Sequence, residues 1–425
     1  MSFETVFTIE AASIKFGSGA TREVGYDMKE LGAHRVLAFI DPHLTESETA
    51  SIALASLKAE GIDTVVYDQV RVEPTDLSLK EAIAFATAGA FDGYVAIGGG
   101  STIDTAKVAD LYSTYPADFL EYVNAPVGRA TPVPGPLKPL VAIPTTAGTG
   151  SETTAVAIFD LSEMHAKTGI SHRALRPRLG IVDPDNTRTL PRMAVACTAL
   201  DVFSHAIESL TALPFEQREA PESPRTRPAY QGANPISSIW AARAAQIGFE
   251  YVIRAMEDPD DVEARTHMIL ASTMAGVGFG SAGVTLPHGM SYPISGLVRD
   301  YRPEGYLSDH ALIPHGMAVI LGAPAAFRFM APANPGACLQ AAGLIGADIR
   351  GAGPEDAGEL LAQAVIEVMK RVDMPNGLRA VGYTLDDVPA LVEGVLPQQR
   401  VTKLSPRPAS AEDFRQLFLD SMTIW

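Results

Sequence analysis

Tyr94-Val-Ala-Ile-Gly-Gly-Gly-Ser-Thr-Ile-Asp-Thr-Ala-Lys107 decides the fold. The apolar run has no alternation, as expected of a strand buried on both faces. Three glycines end it, and a helical pattern opens near Ser101. A strand, a glycine turn and a helix in that order begin a strand–helix–strand unit with a parallel partner. Glycines also let a backbone approach a phosphate, and a helix starting here aims its free N–H groups and dipole at an anion. The spacing is not Gly-x-Gly-x-x-Gly and places no lysine for a nucleotide phosphate, so a plain tight turn stays open beside the phosphate reading.

Working outward, residues 7–16 alternate like an early strand ending at Gly17-Ser-Gly19. Arg35-Val-Leu-Ala-Phe-Ile-Asp41 is a short apolar run that ends in an acid. Residues 46–60 read as a helix, Thr64-Val-Val-Tyr67 as a strand and 79–90 as a helix. Downstream, Pro139-Leu-Val-Ala-Ile-Pro144 is a strand that runs into Thr145-Thr-Ala-Gly-Thr-Gly-Ser-Glu152, a second loop of small and hydroxyl residues. Ala155-Val-Ala-Ile-Phe-Asp160 and Leu179-Gly-Ile-Val-Asp183 read as later strands, with Lys167 between them. Strands alternating with helices predict an α/β domain with a doubly wound parallel sheet. Two such loops at strand ends suggest opposite walls of one nucleotide crevice.

After Arg192 the β-like runs nearly vanish and helical patterns take over at 193–210, 237–257, 262–279, 316–329 and 354–372. A chain of 425 residues is too long for one ordinary core. The expected division is a dinucleotide-binding α/β domain over 1–190 and an all-helical metal and substrate domain over 191–425. Two stretches break the helical pattern. Residues 213–235 are rich in Pro, Arg and Glu, which suggests a lid or an insertion. Residues 396–407 form an irregular basic patch.

The helical half carries a candidate metal set. Asp201 and His205 stand four apart in a helical stretch, so both lie on one face, with Cβ atoms about 5–6 Å apart. His288 and His315 each sit in Pro-His-Gly-Met. A carboxylate with three imidazoles suits Zn2+ or Fe2+ and is poor for a cation that wants only oxygen. Any one of these histidines taken alone is more often structural.

Hydrophobic content of 47% and charged content of 20% are those of a soluble globular protein. A formal charge of -17 argues against nucleic acid and against an anionic membrane surface, and an anionic substrate then needs a local basic patch. Cys197 and Cys338 are too few for a disulfide framework, so a reducing compartment is expected. No apolar run suggests a membrane span of roughly 18–20 residues, and the first ten residues have neither a basic signal-peptide start nor an Arg-rich transit character. The expectation is a cytoplasmic enzyme, a homo-oligomer, with a small-molecule substrate and neither nucleic acid nor membrane as partner.

The segments quoted above resemble the iron-containing alcohol dehydrogenases over nearly the whole chain. The resemblance rests on residues 98–107, on Pro144-Thr-Thr-Ala-Gly-Thr-Gly-Ser-Glu152, on Asp201-x-x-x-His205 and on Ile313-Pro-His-Gly316. It implies NAD as cofactor and Fe2+ as metal, with Zn2+ the alternative. It implies metal ligation by Asp201, His205, His288 and His315, and cofactor contacts from Gly99, Gly100, Ser101, Thr145, Thr146 and Thr149. Asp104 and Lys167 would lie close by, and Asp41 matches the family's ribose-reading acid. Typical members carry a His four residues after the third ligand, where this chain has Tyr292. A proton would then leave through Tyr292, the ribose, water or another histidine such as His310. Proteins similar to dehydroquinate synthase and glycerol dehydrogenase share the architecture but differ around the ligands.

Three further segments look most like the hydroxyacid-oxoacid transhydrogenase branch: Thr226-Arg-Pro-Ala-Tyr-Gln-Gly-Ala-Asn-Pro-Ile236, residues 288–296, and Leu396-Pro-Gln-Gln-Arg-Val-Thr-Lys403. That branch implies a hydroxy acid such as 4-hydroxybutyrate as donor, 2-oxoglutarate as acceptor, and a cofactor retained between half-reactions. Arg225, Arg227, Arg400, Lys403 and Arg407 are the cations available to hold a carboxylate. The alternative is an NAD-dependent alcohol dehydrogenase that acts on simple alcohols and releases NADH.

Overall fold

The computed structural model describes residues 3–163, 166–306, 308 and 310–425, without the side chains of Ala166 and Arg225. The chain divides into two compact units, Ala11–Leu190 and Met1–Glu10 with Pro191–Trp425.

The first unit is a parallel α/β sheet. Its strands are β1 (Ser13–Phe16), β2 (Arg35–Ile40), β3 (Asp63–Tyr67), β4 (Gly93–Gly98), β5 (Leu140–Pro144), β6 (Val156–Leu161), β7 (Ala166–Ser171) and β8 (Leu179–Val182). Its helices are α1 (Val24–Glu30), α2 (Glu48–Ala59), α3 (Asp76–Ala88) and α4 (Gly100–Thr114). Six strands pair in the order β1-β8-β5-β4-β2-β3, with every described pairing parallel. The strand period of two explains the unbroken apolar runs. Val36, Ala38, Val95, Ile97, Val141 and Ile143 pack with Val24, Met28, Ala50 and Leu57 of α1 and α2. The alternate residues Leu37, Phe39, Tyr94, Ala96 and Ala142 pack with Ala82, Ala86, Ile103 and Ala106 of α3 and α4. With both faces covered, no position in the central strands has a solvated side, so the polar half of an alternating pattern has nowhere to go.

The order reverses between β2 and β4, because the chain runs from β2 out to β3 and returns to β4 on the other side of β2. At this switch point the Asp41 N–H donates to the Ile97 carbonyl at 3.1 Å, and the Thr145 N–H donates to the Gly98 carbonyl at 3.0 Å. Three strand ends therefore gather Asp41, the glycine loop and the threonine loop, which is where open α/β sheets place ligands.

Two expectations for this unit are corrected. The run ending at Asp160 is not a strand of the parallel sheet. It is β6, which forms an antiparallel pair with β7, and Lys167, between the two runs as expected, lies on β7. Apolar periodicity identifies a strand but not its partner. The alternation over 7–16 also yields only Ser13–Phe16, and residues 7–10 belong to the helical unit. There Glu4 pairs with Arg227 at 3.1 Å, Thr8 exchanges hydrogen bonds with Gln231, and Phe7 meets Phe215 edge-on at 4.8 Å.

The helical unit contains α5 (Arg192–Thr211), α6 (Pro235–Glu257), α7 (Val262–Ala282), α8 (Leu286–Gly296), α9 (His315–Met330), α10 (Pro335–Leu344), α11 (Ala357–Arg371), α12 (Val388–Val395), α13 (Gln399–Thr402) and α14 (Ala411–Asp420). Every residue from Ala199 to Thr211 is buried, so α5 is the axis against which α6, α7 and α9 pack. The reading that no stretch suits a membrane also needs correction. Arg192–Thr211 and His315–Ala333 are long and apolar enough to cross one, and 89% and 78% of those windows are buried inside the protein. A helix at the centre of a large core has the composition of a membrane helix because both are surrounded by apolar matter.

Residues 213–235 are fixed at several points. Leu213 N–H donates to Leu404, Phe215 N–H to Ala233, Ala233 N–H to Leu213, and the N–H groups of Gln231 and Gly232 to Ser281 and Ala282. The segment is a strap that pairs with its surroundings rather than a loose lid.

One buried ion pair ties α4 to β6. The Lys107 ammonium, with no exposed side-chain surface, donates to the Val156 carbonyl at 2.8 Å and lies 3.4 Å from Asp104. Burial pushes Lys107 below its ordinary pKa and Asp104 above its own, so each depends on the other. Lys107→Met is expected to destabilise by about 3–5 kcal/mol, since it strands a buried carboxylate. Adding Asp104→Asn should recover part of that loss, and thermal melting of the single and double variants measures the coupling.

Candidate functional site

On α5 the residues Asp201, His205 and Glu208 follow at i, i+4 and i+7 and form one stripe. The nearer Asp201 oxygen, Oδ1, stands 3.6 Å from His205 Nε2, 3.7 Å from His288 Nε2 and 3.8 Å from His315 Nε2. Donor atoms of Asp201, His288 and His315 all lie within 4.8 Å of one another. The imidazole of His205 stacks on Phe279 with centroids 3.9 Å apart and lies 4.7 Å from that of His288. Four side chains from three stretches of the sequence thus meet at one point inside the helical unit.

Each segment that carries one of these side chains is brought in by a specific local feature. Gly316 is the second residue of α9, and a Cβ there would lie 2.0 Å from the Cys197 carbonyl and 3.0 Å from Asp201 Cβ. Only glycine lets α9 begin against α5, and this seats His315 beside Asp201. His288 is in the first turn of α8, whose N-cap residue Thr285 supplies no side-chain cap. Glu208 caps it instead. Its Oε2 accepts from the Thr285 N–H at 2.6 Å and from the Thr285 hydroxyl at 3.1 Å. Its Oε1 lies 2.5 Å from His288 Nδ1. A carboxylate with no solvent exposure is tolerable because these donors and the positive end of α8 compensate it.

The Glu208 contact also fixes His288. With Nδ1–H given to the carboxylate, the lone pair is on Nε2, and that atom is buried with no hydrogen-bond partner. A buried nitrogen lone pair facing a carboxylate fits a cation better than it fits a vacancy in the hydrogen-bond network. One aspartate and three imidazoles are the donor set for Fe2+ or Zn2+. Cys197, one turn before Asp201, stays a thiol, because burial, with Asp201 adding to it, pushes its pKa far up. Glu208 was not singled out in the sequence, although an acid at i+7 from Asp201 in an otherwise apolar helix was the available signal.

In the sheet unit the two loops at the switch point touch. A Cβ on Gly99 would lie 3.1 Å from Thr146 Cγ2, and one on Gly100 would lie 2.7 Å from Thr149 Cγ2. The glycines are thus needed for loop-to-loop approach as well as for any phosphate. α2 and α3 are capped by Ser47 and Thr75, whereas α4 starts at Gly99 with no side-chain cap. Thr102 and Ile103 donate their N–H groups to the Gly99 carbonyl, and a helix start without a side-chain cap is one that can receive an anion. The Ser101 hydroxyl accepts from the Glu73 N–H at 3.1 Å. The Asp41 carboxylate accepts from the His43 N–H at 2.9 Å, with His43 Nδ1 at 3.1 Å.

Two residues expected near the cofactor make strong internal contacts. Asp104 Oδ2 accepts from the Ile158 N–H at 3.0 Å. Lys167 is ion-paired with Glu73 and Asp160; burial opposes its charge, but the two carboxylates outweigh that and push its pKa up. Both therefore help hold β6 and β7. Tyr292 is buried one turn after His288, and its hydroxyl accepts from Arg400 Nη2 at 2.7 Å. His310 lies in the connection between α8 and α9, where its N–H donates to the Ser308 hydroxyl and its carbonyl accepts from it. Its neighbours 307 and 309 lie outside the described residues.

Comparisons with known proteins agree with this geometry. Residues 11–184 match the model of the iron-containing alcohol dehydrogenases, and residues 229–422 match that of the Fe-containing alcohol dehydrogenase family, C-terminal. Proteins named hydroxyacid-oxoacid transhydrogenase, mitochondrial, from Bos taurus and Homo sapiens are 52% identical over 99% of this chain and 90% of their own length. Among solved structures, a 1,3-propanediol oxidoreductase and an alcohol dehydrogenase from Oenococcus oeni each superpose with a TM-score of 0.85 at 25% identity, over 98% of this chain and 100% of theirs.

The relatives' names overturn the cytoplasmic location expected from the sequence, since they point to mitochondria. Low cysteine use was read as a sign of a reducing compartment, and that reading does not separate the mitochondrial interior from the cytoplasm.

Because Glu208 fixes the tautomer and ring position of His288, Glu208→Gln should weaken metal binding by about 10- to 100-fold. Metal content measured by plasma emission after dialysis against a graded chelator, with circular dichroism as the folding control, checks this. Unchanged retention would remove Glu208 from the centre.

Proposed function

The chain belongs to the iron-containing alcohol dehydrogenase family, and from that premise we propose that it transfers hydride from a hydroxy acid to an oxo acid through a nicotinamide cofactor. 4-Hydroxybutyrate and 2-oxoglutarate are the proposed pair. The observation that carries the reading is 52% identity, over 99% of this chain, to proteins named hydroxyacid-oxoacid transhydrogenase. The Asp/His cluster supports the metal half of it, and the loops at the switch point support the nucleotide half.

The proposed roles follow from where the side chains are. Asp201, His205, His288 and His315 hold the metal, with Fe2+ favoured and Zn2+ the alternative. When bound, that cation supplies a Lewis acid for the substrate oxygen, and NAD supplies the hydride carrier. With one carboxylate and three imidazoles as ligands, a divalent ion held here would keep net positive charge and would favour a substrate oxygen carrying negative charge. Glu208 orients His288. Gly99, Gly100, Ser101 and the start of α4 receive the pyrophosphate, aided by Thr145, Thr146 and Thr149, while Asp41 takes the ribose hydroxyls. Tyr292 accepts a hydrogen bond from Arg400, so its own O–H proton remains to be donated elsewhere, which suits a part in proton transfer.

Metal-loaded protein given 4-hydroxybutyrate and 2-oxoglutarate, with no added NAD, is expected to form succinic semialdehyde and 2-hydroxyglutarate in equal amounts. No exchange, together with rapid NADH release from simple alcohols when NAD is supplied, would replace this reading with the alcohol dehydrogenase one. With added cofactor, NAD should be preferred to NADP, because the Asp41 carboxylate repels a 2′-phosphate, and Asp41→Gly should narrow that preference. Steady-state kinetics with both cofactors measures it; a preference for NADP that Asp41→Gly leaves unchanged would contradict the role.

A further inference from the structure

We infer that Arg400 is the carboxylate anchor for the acid substrates, with Tyr292 and Tyr230 holding its guanidinium in place. The inference rests on the hydroxy-acid reading above and names the residue that selects for it.

A chain of formal charge -17 repels an anion at long range, so recognition has to come from a local cation. Among the candidates in the irregular segments, Arg227 is paired with Glu4 at 3.1 Å. Arg407 lies over the Phe329 ring at 3.9 Å and donates to the Phe329 carbonyl at 3.2 Å. Lys403 is exposed, and the Arg225 side chain lies outside the described residues. Arg400 differs from all of these. Its Nη2 donates to the Tyr292 hydroxyl at 2.7 Å, and its guanidinium carbon lies 5.0 Å from the centre of the Tyr230 ring. Its Nη1 is buried with no hydrogen-bond partner. Among the described residues, no carboxylate forms an ion pair with it. A buried guanidinium nitrogen left unsatisfied is costly, and the group that satisfies it best is a carboxylate.

Its neighbours tie Arg400 to the metal cluster. Tyr292 follows His288 by one turn of α8, a rise of about 6 Å. The Tyr230 ring is 6.4 Å from Phe279, which stacks on His205. Gly289, next to His288, gives α13 room to dock: a Cβ there would lie 2.7 Å from Thr402 Cγ2. Arg400 is therefore held by contacts to both elements that lead to the histidines.

The chemistry of the two substrates supplies the remaining argument. In 4-hydroxybutyrate the carbinol carbon is separated from the carboxylate by two methylenes. In 2-oxoglutarate the keto carbon is separated from the distal carboxylate by the same two methylenes. A single cation at a fixed distance from the metal therefore positions the reacting carbon in both half-reactions. That distance is about 5–6 Å from reacting oxygen to carboxylate, close to one helical turn. Tyrosines suit the flanks because they fix the guanidinium plane by a hydrogen bond and a cation–π contact without bringing a charge that would compete with the substrate.

The test uses metal-loaded wild type, Arg400→Met and Arg400→Lys, with metal content as the folding control. Calorimetry with glutarate, an unreactive dicarboxylate of matching length, reads binding. The ratio of kcat/KM for 4-hydroxybutyrate to that for 1-butanol reads selectivity. Arg400→Met should abolish glutarate binding and lower the ratio at least 100-fold, with Arg400→Lys in between because it keeps the charge and loses the fork. An unchanged ratio and unchanged glutarate binding would overturn the anchor while leaving the proposed exchange standing. Wild type that binds glutarate through Arg400 yet performs no exchange would overturn the proposed function and keep the anchor. Wild type that neither exchanges nor binds glutarate would overturn both.

Discussion

Glu208 carries a carboxylate with no solvent exposure into the middle of the helical unit, and much of the site depends on how that charge is compensated. Its donors are the Thr285 N–H, the Thr285 hydroxyl and His288 Nδ1, all at the start of α8. One contact therefore does three things. It caps a helix that lacks a side-chain cap, it fixes the direction of α8 relative to α5, and it orients the imidazole of a proposed metal ligand. Asp201 and His205 are fixed on the same helix by spacing alone, and His315 is brought in by a glycine contact on α5. The centre is preorganised because its four side chains rest on one buried helix and on elements docked to it.

Several features were readable because they are local. The strand, glycine turn and helix at 94–107 are specified by neighbouring residues, and so is the i, i+4 relation of Asp201 and His205. Burial on both faces removed alternation from the central strands, and that itself identified a parallel sheet. Features that depend on pairing across the chain were not readable. β6 and the strands of the main sheet have the same composition, and only the structure shows that β6 turns back on β7. Asp104 and Lys167 were placed near the cofactor by motif; their contacts to Ile158, Glu73 and Asp160 join segments whose adjacency no spacing rule predicts, while the Asp104–Lys107 pair is an i, i+3 contact within α4. The compartment was misread for a different reason: the composition of a soluble protein records the redox state and the solvent, not the membrane that encloses them.

The glycine loop shows how one sequence feature can have two physical causes. Gly99 and Gly100 were read as leaving room for a phosphate. The structure supplies a second constraint, since the threonine loop packs where their side chains would be. These causes reinforce each other. A threonine loop pressed against the glycines brings its side chains to the uncapped end of α4, so the packing that demands glycine also builds a polar rim around that helix start. A substitution there would disturb loop packing and cofactor affinity together, and a loss of activity alone would not separate them.

Charge compensation distinguishes Arg400 from the buried lysines of the sheet unit. Lys107 has Asp104 beside it, and Lys167 has Glu73 and Asp160. In those places the chain supplies its own acid, the pair is closed, and the cation has a structural part. At Arg400 the surrounding groups are two phenols, which orient a guanidinium but do not neutralise it. An acid at that position would complete the pair and exclude an anionic ligand. A chain with 50 acidic and 33 basic residues has acids in abundance, yet none of the described ones pairs with Arg400, and the proposed anchor role leaves that charge for the substrate to supply.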